Sequence, residues 1–280
     1  MICQWDAYLN LLPFWLRQDV DRYGKECLQE LRIRIGKPPE LILRDRIHIL
    51  TRQIQRDDIN FIINTASEYS PWASGTTSEG FLTAPGGHRI GICGVGTVQA
   101  GNLQGIHHIT SLCMRVARDF ANIALPANGI QGSILIIGPP GSGKTTLLRD
   151  LIRQRSNNGR GSVVVVDERE ELFPLYRGQT CFSAGASTDI MSRCPKATGI
   201  DIAIRNMSPE WIAVDEVTAQ SDCDALLHAG WCGVNLLATA HAGSLQDLKT
   251  RPVYQTLVGY KLFSHILLLR KDKTWTIERI

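Results

Sequence analysis

The 280-residue chain has no apolar run long enough to cross a bilayer. Its most apolar stretches, residues 133–138 and 162–166, fall far short of the roughly 20 residues a spanning helix needs. The opening residues, Met1-Ile-Cys-Gln-Trp-Asp6, lack a basic segment and an apolar core, so no secretory leader is expected there. The eight cysteines contain no C-x-x-C pair, and no histidine pair sits at zinc-finger spacing. Scattered thiols of this kind read as reduced residues of a cytoplasmic protein rather than a disulfide framework or a metal site. Charge of one sign is missing too. The formal net charge is +3, and neither half of the chain carries a marked excess, so there is no strong nucleic-acid signal.

What is present is an ordinary globular composition. The chain is 44% hydrophobic and 20% charged, which excludes intrinsic disorder. Its length fits one or two domains. Residues 126–129, Pro-Ala-Asn-Gly, are short, polar and turn-rich, and mark the expected boundary between domains 1–125 and 126–280.

The first domain reads as a small α+β module. Residues 6–16 have helix-like apolar spacing interrupted at Pro13. Leu31-Arg-Ile-Arg-Ile35 alternates as a half-buried strand does. Strands are expected at 41–43 and 47–50, and a helix capped near Asp57 and Asp58 follows. A hairpin is expected around Pro85-Gly-Gly87, and a last strand at 111–117. The second domain alternates strands and helices. Strands are expected at 133–137, 162–166, 211–214 and 235–240, helices at 144–155, 199–206 and 222–229, and a terminal hairpin at 263–269 and 274–277. Residues 173–194 are expected to be irregular. Such alternation predicts a mostly parallel α/β sheet.

The strongest chemical signal is Gly138-Pro139-Pro140-Gly141-Ser142-Gly143-Lys144-Thr145. It fits the phosphate-binding loop G-x-x-x-x-G-K-[ST] at every position, between an expected strand and an expected helix. Glycines let backbone N–H groups turn toward a phosphate. The helix that starts there aims the positive end of its dipole at the same anion. Residues 138–145, with the adjoining Thr146, are the expected ATP-binding set. Lys144 reaches the β- and γ-phosphates, and the Thr145 hydroxyl ligates Mg²⁺.

Two expected strands end in acids. Trp211-Ile-Ala-Val-Asp215-Glu216 has the Walker B pattern, and Asp215 is the expected Mg²⁺ partner through water. Val163-Val-Val-Val-Asp167-Glu168-Arg169-Glu170-Glu171 is the second. Ligands of open parallel sheets bind at the carboxyl ends of the strands, so both acid groups converge on the loop. Either Glu168 or Glu216 polarises the attacking water. Resemblance to the RecA-like branch, in which the catalytic Glu lies one strand away from Walker B, favours Glu168, and Asp167 and Glu170 stay open. A third strand ends in Ala238-Thr239-Ala240-His241, where Thr239 or His241 can hydrogen-bond the γ-phosphate or its water.

Taken in order, these motifs resemble those of secretion-type ATPases of the RecA-like branch. The segments 31–43 (LRIRIGKPPELIL), 80–95 (GFLTAPGGHRIGICGV) and 194–209 (CPKATGIDIAIRNMSP) are similar to the bacterial sporulation stage III protein AA family, and the resemblance spans both domains. It implies a RecA-like P-loop core behind a small α+β domain, and a Mg²⁺-dependent ATPase in the mother-cell cytoplasm. It also implies assembly as a homo-oligomer, a hexameric ring, docked on membrane proteins of a channel between mother cell and forespore. By motif position it assigns Arg89 and Arg115 as arginines completing the nucleotide site, and Arg205 as a γ-phosphate sensor. One departure stands out. After Asp215-Glu216 the chain reads Val-Thr-Ala-Gln, where secretion ATPases often carry an arginine. The loop with Arg193 and Lys196 is the nearby substitute, or it lines the pore of the ring. The competing readings are a nucleotide-gated scaffold without turnover, and a P-loop small-molecule kinase that would need residues 173–194 as a lid.

Overall fold

The structure, a computed structural model, describes residues 1–68, 80–157 and 161–279. It divides into two compact units: Met1–Asp119 with Leu175–Cys181, and Phe120–Pro174 with Phe182–Ile280.

The first unit begins with helices α1 (Trp5–Asn10), α2 (Phe14–Asp21) and α3 (Gly24–Cys27). Pro13 lacks the N–H needed to continue a helix, and the interruption expected there separates α1 from α2. Strands β1 (Leu28–Arg34), β2 (Glu40–Leu43) and β3 (Ile47–Ile49), helix α4 (Arg56–Ala66), and strands β4 (Phe81–Ala84), β5 (His88–Gln99) and β6 (Asn102–Arg115) follow. The Gln55 N–H donates to Asp58 Oδ2 at 2.8 Å, which fixes the start of α4. The sheet runs β3-β2-β1-β6-β5-β4, antiparallel throughout. Strand β6 begins nine residues before the expected position 111. Residues 102–110 carry no clear alternation, and their extended form comes from pairing with β5, from Gln99↔Asn102 onward.

The second unit opens with β7 (Ile134–Ile137), α5 (Lys144–Asn157) and β8 (Val163–Asp167). The chain then visits the first unit as the hairpin β9 (Leu175–Tyr176) and β10 (Gln179–Thr180). It returns as β11 (Thr188–Ser192), α6 (Lys196–Met207), β12 (Trp211–Val214), α7 (Gln220–Trp231), β13 (Asn235–Ala240), α8 (Leu245–Thr250), α9 (Pro252–Gly259), β14 (His265–Leu269) and β15 (Trp275–Arg279). The sheet order is β11-β8-β12-β13-β7-β14-β15. Every neighbouring pair is parallel except β14 with β15, which is antiparallel. Strands β7, β8 and β12 are buried along their whole length, as expected of strands covered on both faces.

Residues 173–194, expected to be irregular, contain three short strands, with 181–187 between them outside any regular element. Arg177 and Gly178, both at positive φ, make the two-residue turn of a hairpin, and the Arg177 guanidinium and the Tyr176 hydroxyl bond to Glu68. Strand β11 has mixed polarity because it is the sheet edge. The division between units falls at 119/120, six residues before the expected boundary. The cause is Asp150 on α5, whose carboxylate accepts the N–H groups of Asn122 at 3.1 Å and Ala124 at 2.8 Å. That contact ties the connecting segment to the second unit.

Helix α6 packs on β8 with no room to spare. A Cβ built on Gly199 lies 2.5 Å from Val166 Cγ1. Gly199→Ala is expected to destabilise the second unit by about 1–3 kcal/mol, as overpacked core sites do, and urea unfolding of the variant measures it.

Candidate nucleotide site

The site grows from the carboxyl ends of four adjacent parallel strands. Strand β7 runs into the phosphate loop, β8 ends at Asp167, β12 runs into Asp215, and β13 ends at Ala240, one residue before His241. Gly141 and Gly143 hold positive φ values of 74° and 102°, which glycine adopts without strain. The loop then feeds directly into α5 at Lys144.

Lys144 is buried. Its Nζ donates to the carbonyls of Gly138 and Pro139, at 3.0 and 3.1 Å, and to His241 Nδ1 at 3.1 Å. An ammonium has donors only, so His241 Nδ1 must accept. Its other nitrogen, Nε2, then carries the proton and donates to Glu216 Oε1 at 2.7 Å. Arg169 pairs with the opposite oxygen, Glu216 Oε2, at 2.6 Å. One polar chain thus runs from loop carbonyls through Lys144, His241 and Glu216 to Arg169. Burial lowers the Lys144 pKa, opposed by Asp215 and Glu216. Burial pushes the Glu216 carboxyl up, but the His241 hydrogen bond and the Arg169 charge outweigh it and hold the group below its ordinary value.

A second set of bonds centres on Asp215. Thr145 Oγ1 donates to Asp215 Oδ2 at 2.6 Å, and Thr239 Oγ1 donates to Asp215 Oδ1. The same Thr239 oxygen accepts the Glu216 N–H at 2.8 Å, and Glu216 sits at φ 56°. Thr239 is fully buried. Its one hydroxyl proton goes to Asp215 and its oxygen accepts from Glu216, so in this arrangement Thr239 holds the Asp215-Glu216 turn.

Asp167, kept open above, is committed elsewhere. Its carboxylate accepts the N–H groups of Glu171, Leu172 and Phe173 at 2.8–3.0 Å and shapes the turn after β8. Glu170 accepts from Ser192 Oγ at 2.8 Å and Arg193 at 3.0 Å. Glu168 pairs with the buried Lys196 at 2.5 Å. Glu168, Arg169, Lys196, Asp215 and Glu216 share one crevice with Val166, Asp167 and Glu171.

Residues 144, 145, 215, 216, 239 and 241 therefore meet through direct hydrogen bonds, and Glu168 lines the adjoining crevice. Arg205 lies on the exposed side of α6, paired with Asp201 at 3.0 Å. Arg89 and Arg115 belong to the first unit. The Arg89 guanidinium lies 3.8 Å from the Phe81 ring centroid, and Arg115 pairs with Glu30 at 3.3 Å. Arg169 has no role legible in the sequence, because its partner Glu216 lies 47 residues away on another strand end. The Ser142 hydroxyl of the phosphate loop is buried without a hydrogen-bond partner among the described residues. An orphaned hydroxyl, glycines in left-handed conformations and a lysine folded onto its own loop are a donor set that fits a phosphate chain. Thr145 and Asp215, already in contact, fit the hydroxyl-plus-carboxylate partners of a phosphate-bound Mg²⁺.

A family model described as "Sporulation stage III, protein AA" matches residues 8–278. The chain belongs to the sporulation stage III protein AA family. The Stage III sporulation protein AA of Bacillus subtilis (strain 168) is 37% identical over 256 residues, which is 88% of this chain and 83% of that protein. Among solved structures, the Legionella pneumophila ATPase DotB aligns with a TM-score of 0.61 at 17% identity, over 95% of this chain and 79% of its own. The pilus retraction motor PilT with bound ADP aligns at 0.56 and 14%, over 90% and 76%. This chain thus shares its α/β fold with the ATPase DotB and the pilus retraction motor PilT. Among its described residues, no helix is long and apolar enough to cross a membrane.

Two outcomes follow from the site. Burial raises the Asp167 pKa from 3.8 to about 6 despite the three N–H bonds that lower it. Between those values the folded carboxyl keeps a proton that the unfolded one has lost. The contribution of Asp167 to stability is therefore largest near pH 4, falls as pH rises, and is flat above about 6. Urea titrations across that range are expected to show Asp167→Asn losing this slope. Thr239→Val, which removes one donor and strands the Glu216 N–H, is expected to cost about 1–3 kcal/mol. Thr239→Ser is expected to recover most of it in the same assay.

Proposed function

We propose that this family member is a Mg²⁺-dependent ATPase with a RecA-like core, working as a motor or assembly factor. The observation that carries the reading is the convergence of Lys144, Thr145, Asp215, Glu216 and His241 into one bonded set at the strand ends. Bound ATP draws Lys144 from its loop carbonyls to the β- and γ-phosphates, with residues 138–146 wrapped around the phosphate chain. Mg²⁺ supplies charge neutralisation and Lewis acidity beside Thr145 and Asp215. Glu168 or Glu216 takes the proton of the attacking water as its oxygen bonds to the γ-phosphorus, and ADP leaves with the electrons of the broken P–O bond. His241, wired to both Lys144 and Glu216, reports whether the γ-phosphate is present.

Arg89 and Arg115 complete the site from the N-terminal unit when copies assemble into a hexameric ring, and Arg205 is a further phosphate sensor. The ring acts in the mother-cell cytoplasm on membrane proteins of a channel to the forespore. Family membership and the fold shared with DotB and PilT support this reading. A scaffold that binds nucleotide without turnover is the second reading. The observation that favours it is that Glu168 and Glu216 are both already ion-paired.

Phosphate release from Mg·ATP, followed against protein concentration with Lys144→Ala alongside, tests the proposal. Specific activity is expected to rise with concentration and to vanish in the variant. Flat, variant-sensitive activity removes the case for Arg89 and Arg115. Nucleotide binding without release at any concentration selects the scaffold.

A further inference from the structure

Lys196 has no part in the hydrolysis proposed for Glu168 or Glu216. It is the first residue of α6 and only 5% exposed. Its ammonium pairs with Glu168, and its charge also helps to hold the Glu216 carboxyl low. An ammonium removed from water must keep an anion within reach. The crevice offers many: Asp167, Glu168, Glu171, Asp215 and Glu216 line it, against only Arg169 and Lys196. The crevice is too narrow to hold a triphosphate, but Asp215 and Glu216 join it to the phosphate loop, through Thr145 and through His241 and Lys144. A phosphate chain at that loop brings further anionic charge up to these acids, so the cations beside them decide whether it is accepted. Arg169 is 56% exposed and committed to Glu216. Arg193, the other substitute for the arginine missing after Glu216, is bonded to Glu170. Lys196 alone of the three is buried beside the Walker B acids, and its three donors allow it to change partners without leaving the crevice.

On the reading of the adjoining phosphate loop as an ATP site, we infer that Lys196 recognises the terminal phosphate and that Glu168 is its counter-ion when no nucleotide is bound. ATP draws the ammonium off Glu168 and frees that carboxylate, and ADP leaves the pair closed. The pair is asymmetric in a useful way. The Glu168 side chain is 36% exposed while that of Lys196 is 6% exposed. Lys196→Met therefore leaves a solvated carboxylate, whereas Glu168→Gln strands a buried cation.

The test is equilibrium binding of a fluorescent ADP and of the matching non-hydrolysable triphosphate to the full chain. The wild type is expected to prefer the triphosphate by about tenfold, the 1.4 kcal/mol that one decade represents. Lys196→Met is expected to bring the two affinities within about twofold at unchanged ADP affinity, and Lys196→Arg to keep most of the preference. An unchanged preference in Lys196→Met overturns the inference, and so does loss of ADP binding along with it, since that marks a structural role. Glu168→Gln separates the two readings: it is expected to keep the triphosphate preference while phosphate release falls. Release that persists in Glu168→Gln moves the base to Glu216 and leaves the Lys196 result standing. A wild type that binds neither nucleotide overturns the inference and the ATPase reading together.

Discussion

One carboxylate organises the C-terminal unit. Asp215 receives the hydroxyl of Thr145 on one oxygen and that of Thr239 on the other. Thr145 belongs to the first turn of α5, Asp215 follows β12, and Thr239 lies in β13. Three elements that are distant in sequence are thus held at one point, next to the phosphate loop. Because the Thr239 oxygen also accepts the Glu216 N–H, it keeps a non-glycine residue in the left-handed region that otherwise strains the chain. The direction of the Glu216 side chain, and with it the contacts to His241 and Arg169, follows from that clamp. A strained turn over-determined by its neighbours is a common way to pre-position groups at functional sites.

Behind that point stands a helix whose interior is unusually polar. On α5, Arg149, Asp150, Arg153, Gln154, Arg155 and Ser156 are all buried. Buried charges are costly unless they are paired and hydrogen-bonded, and here the arginines spend their donors on loop carbonyls. Arg149 reaches Leu172 and Glu171, Arg153 reaches Ser183, and Arg155 reaches Asn128 and Ile130 while lying over the Trp211 ring. Asp150 takes the N–H groups of Asn122 and Ala124. The helix that begins at Lys144 therefore anchors the segment entering the unit, the turn after β8 and the segment before β11. A planar guanidinium with five donors suits this task better than lysine does.

The sequence made legible whatever depends on unbroken local patterns. The runs Ile134–Ile137, Val163–Val166 and Trp211–Val214 are strands because four consecutive apolar residues are buried together when a strand is covered on both faces. The phosphate loop is legible because its glycines and Lys144 act locally. Less visible were elements whose form is set by a partner. The first half of β6 exists through pairing with β5, and β11 through its register on β8. The roles of the acids were ambiguous for the same reason. Asp167, Glu168 and Glu170 look alike in a run of charges, yet one caps backbone N–H groups, one faces a lysine and one faces an arginine. Residue type supplies a carboxylate, and only the fold decides what it meets.

That distribution bears on how the crevice can respond to a ligand. In the structure, groups that a phosphate chain or its water would use already have internal partners: Lys144 holds two carbonyls and His241, Glu216 holds His241 and Arg169, and Glu168 holds Lys196. A ligand that enters such a site exchanges bonds rather than adding them, and each exchange returns only the net value of a hydrogen bond, about 0.5–1.5 kcal/mol and up to about 3 where charge is involved. The Ser142 hydroxyl is the exception, since filling an orphaned donor is pure gain. Because Lys144, His241 and Glu216 form one chain, moving the lysine leaves His241 Nδ1 without a donor, which in turn alters what Glu216 faces. Contacts wired in series change together, so a ligand that reaches Lys144 is felt at Arg169, beyond the far end of the histidine. A ligand can shift such a set only by its differential affinity for the two arrangements. On the ATP reading, that difference lies in the phosphates that reach Lys144.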